Sequence, residues 1–176
     1  AAWEITRCAR PHLERLAQQT QYTALLSCVE GSNIVVIDQR VSGTGIQVAS
    51  EIGGRTPLHA TSQGKLLLSR LPDATVRYLM NGQGMDPFTP HTIVNLATLT
   101  EELERIRQWG YAIENGEYKI GLRSVSAPVF DREGQMRYTL TVVGLFRHVA
   151  SGEFEEAVDM VCAAAGKLSR ELGYHA

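Results

Sequence analysis

The sequence predicts a single α+β domain in which helices flank an antiparallel sheet. The chain has 176 residues, of which 44% are hydrophobic, and this is enough to build one core. Apolar, strand-like segments come in pairs separated by short turns, which is typical of β-hairpins. Elsewhere the apolar residues recur at helical spacing. Because hairpins dominate over strand–helix–strand units, we expect an antiparallel sheet.

The first hairpin is predicted near the N-terminus. Strands over 22–29 and 34–39 flank the turn sequence Glu30-Gly31-Ser32-Asn33. A short helix is predicted over 12–19, and Pro11 suits its first turn, where no backbone N–H is needed. This region therefore supplies one helix and two paired strands.

The middle of the chain is predicted to be mainly helical. A third strand at 46–50 is followed by a helix over 61–71, whose leucines share one face, and by a second short helix over 73–80. The stretch 81–95 contains two glycines and two prolines. It is therefore predicted to be a mobile surface loop.

A longer helix is predicted to begin at Thr98. The spacing Thr98-x-x-Glu101 is that of a capping box, and Gly110 is placed to end the helix. Its buried stripe is predicted to consist of Leu99, Leu103 and Ile106.

The C-terminal part is predicted to form a second hairpin and a terminal helix. Strands over 111–114, 124–130 and 137–146 are expected, and the turn 131–134 joins the last two. Ser151 is placed to cap the final helix, whose apolar residues keep to one face: 154, 157, 158, 161, 165, 168 and 172.

Charge and composition argue against several classes of function. Seventeen basic and nineteen acidic residues give a net charge of −2, with no basic run, so this chain alone is a poor DNA binder. No apolar run reaches the length of a membrane span, and the first residues lack the features of a signal peptide. Cys8, Cys28 and Cys162 lie far apart, which favours reduced thiols in a cytoplasmic protein. The first residue is not Met, which fits a fragment of a longer protein.

Three short motifs could indicate catalysis or nucleotide binding. Ser62-Gln63-Gly64-Lys65 has the S-x-x-K spacing of serine acylases, but the Lys-Thr-Gly and Ser-Asp-Asn partner motifs are absent from the sequence. A helix start with an exposed Lys is therefore favoured over a Ser-Lys hydrolase. A phosphate loop is excluded because His59 and Leu66 stand where Gly and Ser or Thr are required. Gly43-Thr44-Gly45 lacks the third glycine of a dinucleotide fingerprint and is interpreted as a turn.

The histidines give no indication of a metal site. No two of the five recur at a spacing of three or four residues, and the single Cys8–His12 pair is too few ligands for a local site, so neither a metal nor a cofactor is predicted. His59 is predicted to be structural, with its ring bonded to the backbone near the strand-to-helix turn.

Two stretches follow the signature patterns of a known family. The first is Gly54-Arg55-Thr56-Pro57-Leu58-His59-Ala60-Thr61-Ser62-Gln63-Gly64-Lys65-Leu66-Leu67-Leu68, which is similar to R-x-P-L-H-A-T-x-x-G-K-x-x-L-A. The second runs from Arg107-Gln108-Trp109-Gly110-Tyr111 through 121–131, which is similar to R-x-x-G-Y and G-x-R-x-x-A-A-P-V-F-D. Over essentially its whole length the chain resembles the effector-binding domain of IclR-type bacterial transcription regulators.

The resemblance implies a fold and a division of labour. The expected fold is GAF-like, with about six antiparallel strands. Residues 1–20 would form the end of a linker helix and the first helix of the domain, and residues 21–176 the effector-binding domain. A winged helix-turn-helix domain outside this chain would bind DNA. The resemblance also implies a non-enzymatic domain that forms a homodimer or homotetramer.

The resemblance further implies an effector cup on one face of the sheet. The residues expected to contact the effector lie at the start of a helix and on three strands: Ser62, Gln63, Glu114, Ser124, Thr141 and Val143. Val143 departs from members with a polar residue at both late-strand positions, so a different or differently oriented ligand is expected. The N–H groups near 61–64 are a suitable seat for a carboxylate. Small carboxylates, including keto acids, sugar acids and aromatic acids, are all compatible with such a cup. A GAF-like sensor module of another signalling protein is the alternative.

Overall fold

The structure, a computed structural model, describes residues 2–42 and 48–176. These residues form five helices and five strands. In chain order the elements are α1 (Ala2–Thr20), β1 (Thr23–Glu30), β2 (Asn33–Arg40), α2 (Ser62–Ser69), α3 (Asp73–Gln83), α4 (Leu96–Trp109), β3 (Ala112–Asn115), β4 (Arg123–Phe130), β5 (Met136–Gly144) and α5 (Gly152–Glu171).

The strands form one sheet in the order β2-β1-β5-β4-β3, and every neighbouring pair is antiparallel. The predicted α+β class with an antiparallel sheet is therefore confirmed. About six strands were expected, and the described residues form five. Of the predicted strand at 46–50, residues 46 and 47 lie outside the described residues, and 48–50 are not in a strand.

The two faces of the sheet are covered differently. Helices α1 and α5 pack on one face, where they enclose the larger apolar core. Leu140 and Val142 of β5 point into this core, and because side chains alternate along a strand, Thr139 and Thr141 point to the opposite face. Helix α2 lies on that opposite face, with α4 packed beside it. The helices of this side share a second apolar core, which includes Leu66, Leu68, Val76, Met80, Leu99, Leu103 and Ile106.

Helix α1 is longer than the predicted helix over 12–19. It begins at Ala2 and continues through Pro11, which was wrongly placed in the first turn. A proline in this position removes one intrahelical hydrogen bond. Ile5, Ala9 and Leu13 are nonetheless buried in the core on both sides of Pro11, and this packing stabilises a single helix.

Helix α4 begins at Leu96 rather than at Thr98, so the predicted capping box is wrong. The side chain of Asn95 accepts a hydrogen bond of 2.9 Å from the Thr98 N–H, and Asn is among the best N-cap residues. The predicted buried stripe is confirmed. So is the end of the helix at Gly110, whose φ of 80° lies in the left-handed region that glycine favours.

The loop predicted over 81–95 begins after α3, which extends to Gln83. Two of its hydroxyl groups anchor it to the segment that follows β3. Thr89 donates to the Gly116 carbonyl at 2.6 Å, and Thr92 donates to the Glu117 carbonyl at 2.5 Å. The loop is therefore tied to one wall of the cavity described next.

Candidate ligand-binding site

The chain folds tightly where α2 begins. The Thr61 hydroxyl accepts a hydrogen bond of 3.1 Å from the Gly64 N–H and caps the helix. A Cβ atom on Gly64 would lie 2.5 Å from the Cα of Leu58, so only glycine permits this close approach. Ser62 and Gln63 are thereby buried in the first turn of α2, where backbone N–H groups have no intrahelical acceptor.

A cavity of about 590 Å³ lies between this helix start and the sheet, and we call it the cup. Loop residues between 48 and 56 and between 118 and 122 complete its walls. The structure brings all of the sequence-predicted site residues together in this one cavity: Ser62, Gln63, Glu114, Ser124, Thr141 and Val143.

Four hydroxyl groups form a continuous polar network at the cup, and we call it the hydroxyl chain. Ser62 Oγ lies 2.7 Å from the Oγ atoms of both Ser124 and Ser126. Ser126 Oγ lies 2.6 Å from Thr141 Oγ1. At the other end, the Ser124 hydroxyl donates to Glu114 Oε1 at 3.0 Å. The five side chains are at most 2% exposed, so their mutual hydrogen bonds hold them in place.

Glu114 is the titratable group of the cup floor. Its burial raises its pKa to about 7, and the nearby Glu117 carboxylate raises it as well. Hydrogen bonds from Ser124 and from the Tyr118 N–H, together with the charge of Lys65, act in the opposite direction. The carboxyl group therefore exists both protonated and ionised near neutral pH, and it can either donate or accept a hydrogen bond.

Gln63 is held by two hydrogen bonds beside this network. Its Oε1 accepts from the Ser27 hydroxyl at 2.7 Å, and its Nε2 donates to Thr56 Oγ1 at 3.2 Å. Thr139, next to Ser27 in the sheet, is fully buried, and its hydroxyl has no hydrogen-bond partner among the described residues. The hydroxyl groups of the hydroxyl chain thus all have hydrogen-bond partners, whereas the Thr139 hydroxyl beside them has none among the described residues.

Another part of the cup wall is apolar. It consists of packed side chains from three strands and the 116–122 segment: Leu25, Val36, Leu122 and Val143. The other charged residues that line the cup, Glu51, Arg55 and Lys119, are exposed at its rim. A polar floor beside an apolar wall suits a small molecule with one polar end and a less polar body.

Lys65 was expected to be exposed, and this expectation is wrong. All eight residues of α2 are buried because the helix packs against both the sheet and α4. The Lys65 ammonium donates to Glu102 at 2.8 Å, to Glu117 at 2.8 Å and to the Ile113 carbonyl at 2.7 Å. Although burial raises the pKa of Glu102, the charges and hydrogen bonds of Lys65 and Arg105 together outweigh that effect and lower it.

The same geometry removes the basis for a Ser-Lys hydrolase. An ammonium group has three N–H donors, and those of Lys65 match three acceptors that do not include Ser62. Ser62 Oγ bonds only to other hydroxyl groups among the described residues. Within the part of the chain that the structure describes, no general base is therefore in direct contact with Ser62 to activate it.

His59 Nε2 lies 2.9 Å from the Asp86 carbonyl, so its predicted bond to the backbone is confirmed, although its partner lies in the loop after α3. Within 2–42 and 48–176, no cluster of three or more His, Cys, Asp or Glu residues has a geometry that could hold a metal ion.

Several residues of the site were missed from the sequence. Ser126 lies two positions after Ser124 on β4, so strand alternation alone would have placed it on the same face. Glu102 and Glu117 carry no comparable signal, because only the packing of α2 against α4 and the loop brings them to Lys65.

The fold places the chain among GAF-like domains, and comparison with known proteins identifies which kind. The family described as "Bacterial transcriptional regulator IclR C-terminal" matches residues 1–170. The chain therefore belongs to the IclR family, and it corresponds to the C-terminal domain.

Relatives of known name agree with this assignment. The HTH-type transcriptional regulator KdgR of Escherichia coli K12 is 31% identical over 98% of this chain and 65% of KdgR. The regulator XynR of the same strain is 32% identical over 98% of this chain and 69% of XynR. The chain thus spans about two thirds of the length of these relatives. Their names are those of transcriptional regulators, not of enzymes.

Solved structures agree with the fold over nearly the whole chain. The Thermotoga maritima IclR structure has a TM-score of 0.88 and 32% identity, and the match covers 97% of this chain and 69% of that one. The C-terminal domain of E. coli KdgR has a TM-score of 0.84 and 30% identity, and the match covers 97% of this chain and 99% of that one.

Among the described residues, none of the helices has the length and apolarity that a membrane span requires.

Proposed function

We propose that this chain is the effector-binding and oligomerisation domain of an IclR-type regulator, and that the effector binds in the cup. The observation that carries the proposal is the convergence of six side chains, from α2 and three strands, on one cavity. The cup combines preorganised hydrogen-bonding groups with an apolar wall, which is the usual composition of a small-molecule site.

The proposal extends to the protein of which this chain would be a part. A winged helix-turn-helix domain, joined through the linker that residues 1–20 would end, binds DNA in the cytoplasm. The net charge of −2 fits a chain that leaves DNA contacts to another domain. Effector binding then changes DNA binding because the effector has different affinities for two arrangements of the assembly.

A thermal-shift screen of small carboxylates tests the binding function. The panel contains short keto acids, sugar acids and aromatic acids at a fixed protein concentration. A ligand that binds only the folded state raises the melting temperature in proportion to the logarithm of its concentration. A panel in which no compound shifts the melting temperature at millimolar concentration would count against the cup as an effector site for small acids.

The variant Ser124→Leu locates the site. The larger side chain fills the floor of the cup and removes hydrogen bonds to Ser62 and Glu114, so we expect at least tenfold weaker binding of any acid found in the screen. Ser32→Leu, in the β1–β2 turn away from the cup, is the matched control. Unchanged affinity in a folded Ser124→Leu protein would place the site elsewhere.

Sedimentation tests the proposed assembly. We expect a homodimer or homotetramer, because regulators that read paired half-sites are usually two-fold symmetric. A strict monomer at high protein concentration would contradict an oligomerisation role for this domain.

A further inference from the structure

The hydroxyl chain has a limited number of hydrogen atoms to share. Each of its four hydroxyl groups has one hydrogen to donate. The network contains three hydroxyl–hydroxyl contacts and one bond to Glu114, which makes four hydrogen bonds. An ionised Glu114 can only accept, so all four hydrogens must then point along the chain towards it. In that state Thr141, at the far end, offers only lone pairs to the cup.

A protonated Glu114 changes this arrangement. Its carboxyl O–H can donate to Ser124, and each hydrogen bond of the chain can then reverse. The network gains one hydrogen, and the hydroxyl of Thr141 becomes free to donate into the cup, which it lines. The protonation state of Glu114 thus decides whether the Thr141 end of the floor accepts or donates hydrogen bonds.

We propose that the cup binds a small carboxylate together with one proton: Glu114 takes up the proton from solvent, the hydroxyl chain reverses, and Thr141 donates to the ligand. The inference rests on the proposed effector-binding function and names the class of ligand. A floor with an ionised Glu114 presents a buried negative charge and acceptors, which repel a carboxylate. A neutral Glu114 removes that charge and adds a donor near the first-turn N–H groups of Ser62 and Gln63.

The positive charges near Glu114 are bonded to other partners, so they oppose its protonation only in part. On α2, Lys65 is already shared between Glu102 and Glu117. On β4, Arg123 is bonded to Asn115 and to the Phe146 carbonyl.

The remaining titratable groups around the cup lie on loops. The segment after β3 contributes Glu117, Tyr118 and Lys119, of which only Glu117 is a buried charge, and its sign is negative. The loop before α2 contributes Glu51 and Arg55, which are exposed. The cup-facing residues of β5, Thr141 and Val143, do not titrate.

Because burial already raises the pKa of Glu114 to about 7, proton uptake near neutral pH requires little free energy.

The first test needs no ligand. NMR of the chain follows the Glu114 carboxyl carbon and the Thr141 methyl group as the pH is raised from 5 to 9. We expect both signals to shift with one common midpoint, because reversal of the chain changes the surroundings of Thr141. In Ser126→Ala the Thr141 response should be lost, since the chain is interrupted. Thr139→Val, which removes a hydroxyl on the same face of β5 but outside the chain, should keep it.

The outcomes of this titration are decisive for the hydroxyl chain. A Thr141 signal that does not follow Glu114 in the unmodified protein would overturn the reversal. A response that persists in Ser126→Ala would overturn it as well, because the coupling would then run by another route.

The second test uses pyruvate and benzoate as probes. Calorimetric titration at pH 8 in two buffers of different ionisation enthalpy measures the protons taken up per ligand bound. We expect about one proton, and an affinity that falls about tenfold per pH unit above the Glu114 midpoint. Glu114→Gln has a neutral side chain that donates to Ser124 at every pH, so it should bind the acids without proton uptake or pH dependence.

These results separate the inference from the function on which it rests. Binding of an acid without proton uptake would overturn the proton coupling and leave the effector function intact. Failure of both probes to bind at pH 6 would overturn the proposal that the cup binds short keto acids or aromatic acids together with a proton. The effector function itself would then be decided by the wider screen and by Ser124→Leu.

Discussion

The two faces of β5 illustrate how one strand serves two purposes. Leu140 and Val142 pack into the core beneath α1 and α5, whereas Thr139 and Thr141 lie on the face that carries the cup. All four are at most 2% exposed, so burial alone does not distinguish the faces. The difference lies in what each face can do: the apolar face contributes stability through packing, and the hydroxyl face offers directional bonds that a ligand can share.

The largest expected loss of stability comes from a substitution on the polar side of the sheet. It would contradict a simple division between a stabilising face and a binding face. Lys65→Met removes the ammonium that bridges Glu102 and Glu117. Glu102 keeps its ion pair with Arg105, whereas the buried Glu117 keeps the Asn115 N–H bond but has no ionic partner left among the described residues. We expect a loss of about 3–5 kcal/mol in the free energy of unfolding, measured by urea denaturation. Lys119→Met, at the exposed rim, is the control and should change it by less than about 0.5 kcal/mol. A cost below about 1 kcal/mol for Lys65→Met would mean that solvent replaces the missing charge.

The apolar face is tested by Leu140→Ala. This side chain is completely buried in the main core, so the substitution leaves a cavity and should cost about 2–5 kcal/mol. Leu145→Ala, which is half exposed, should cost far less. Leu140→Ala should leave the affinity of a cup ligand unchanged at a temperature where the protein is folded. A loss of affinity would contradict the division between a packing face and a binding face.

Glu114→Gln tests the polar face through its pH dependence. The pKa of Glu114 in the folded state is about 7, above its ordinary value of 4.5, so the folded protein binds this proton more tightly than the unfolded chain. The contribution of Glu114 to stability is therefore present below pH 4.5 and is lost as the pH rises through 7. The shift corresponds to about 3 kcal/mol at pH 8, which the neutral Gln should largely recover.

Urea denaturation of both proteins at pH 4 and pH 8 checks this expectation. Glu114→Gln should be the more stable protein at pH 8, and the difference should nearly vanish at pH 4. A difference that does not change with pH would show that Glu114 is already ionised at no cost in the folded state.

Thr141→Val should affect binding more than stability. It deletes one hydroxyl of the hydroxyl chain and one hydrogen bond to Ser126, which costs about 1 kcal/mol in the free energy of unfolding. The free energy of binding of a carboxylate in the cup should weaken by at least about 1 kcal/mol. Loss of stability without loss of affinity would indicate that Thr141 supports the sheet only.

The sequence predicted these two faces unequally well. The apolar face follows from periodicity, because Leu140 and Val142 alternate with polar residues and the α5 stripe repeats at helical spacing. The start of α4 was misplaced because Thr98-x-x-Glu101 has the spacing of a capping box, whereas in the structure the side chain of Asn95 caps the helix. The predicted helix over 12–19 was too short because Pro11 was assigned to a first turn. In the structure, packing against the core keeps α1 helical through Pro11.

The cup was predicted in its position but not in its bonding. Resemblance to the family placed six residues, and they converge on one cavity. The connection through Ser126 and the burial of Lys65 depend on contacts between segments far apart in the chain, which spacing cannot specify. The raised pKa of Glu114 likewise results mainly from its burial at the cavity floor, with a smaller contribution from the Glu117 carboxylate.

The smallest expected effect is a gain in stability, and it distinguishes a hydroxyl group of the polar face that has no partner from those that are bonded. Thr139 lies on the same face as Thr141, yet its hydroxyl is buried without a partner among the described residues. Thr139→Val keeps the shape and removes a polar group that lost its hydrogen bonds to water on folding, so stability should rise by about 1 kcal/mol. For a domain of this size, the melting temperature should increase by about 2–4 °C. Thr141→Val is the matched replacement two residues away and should change it in the other direction. A clear loss of stability in Thr139→Val would mean that a bound water satisfies this hydroxyl, and that the bonded network of the polar face extends beyond the cup.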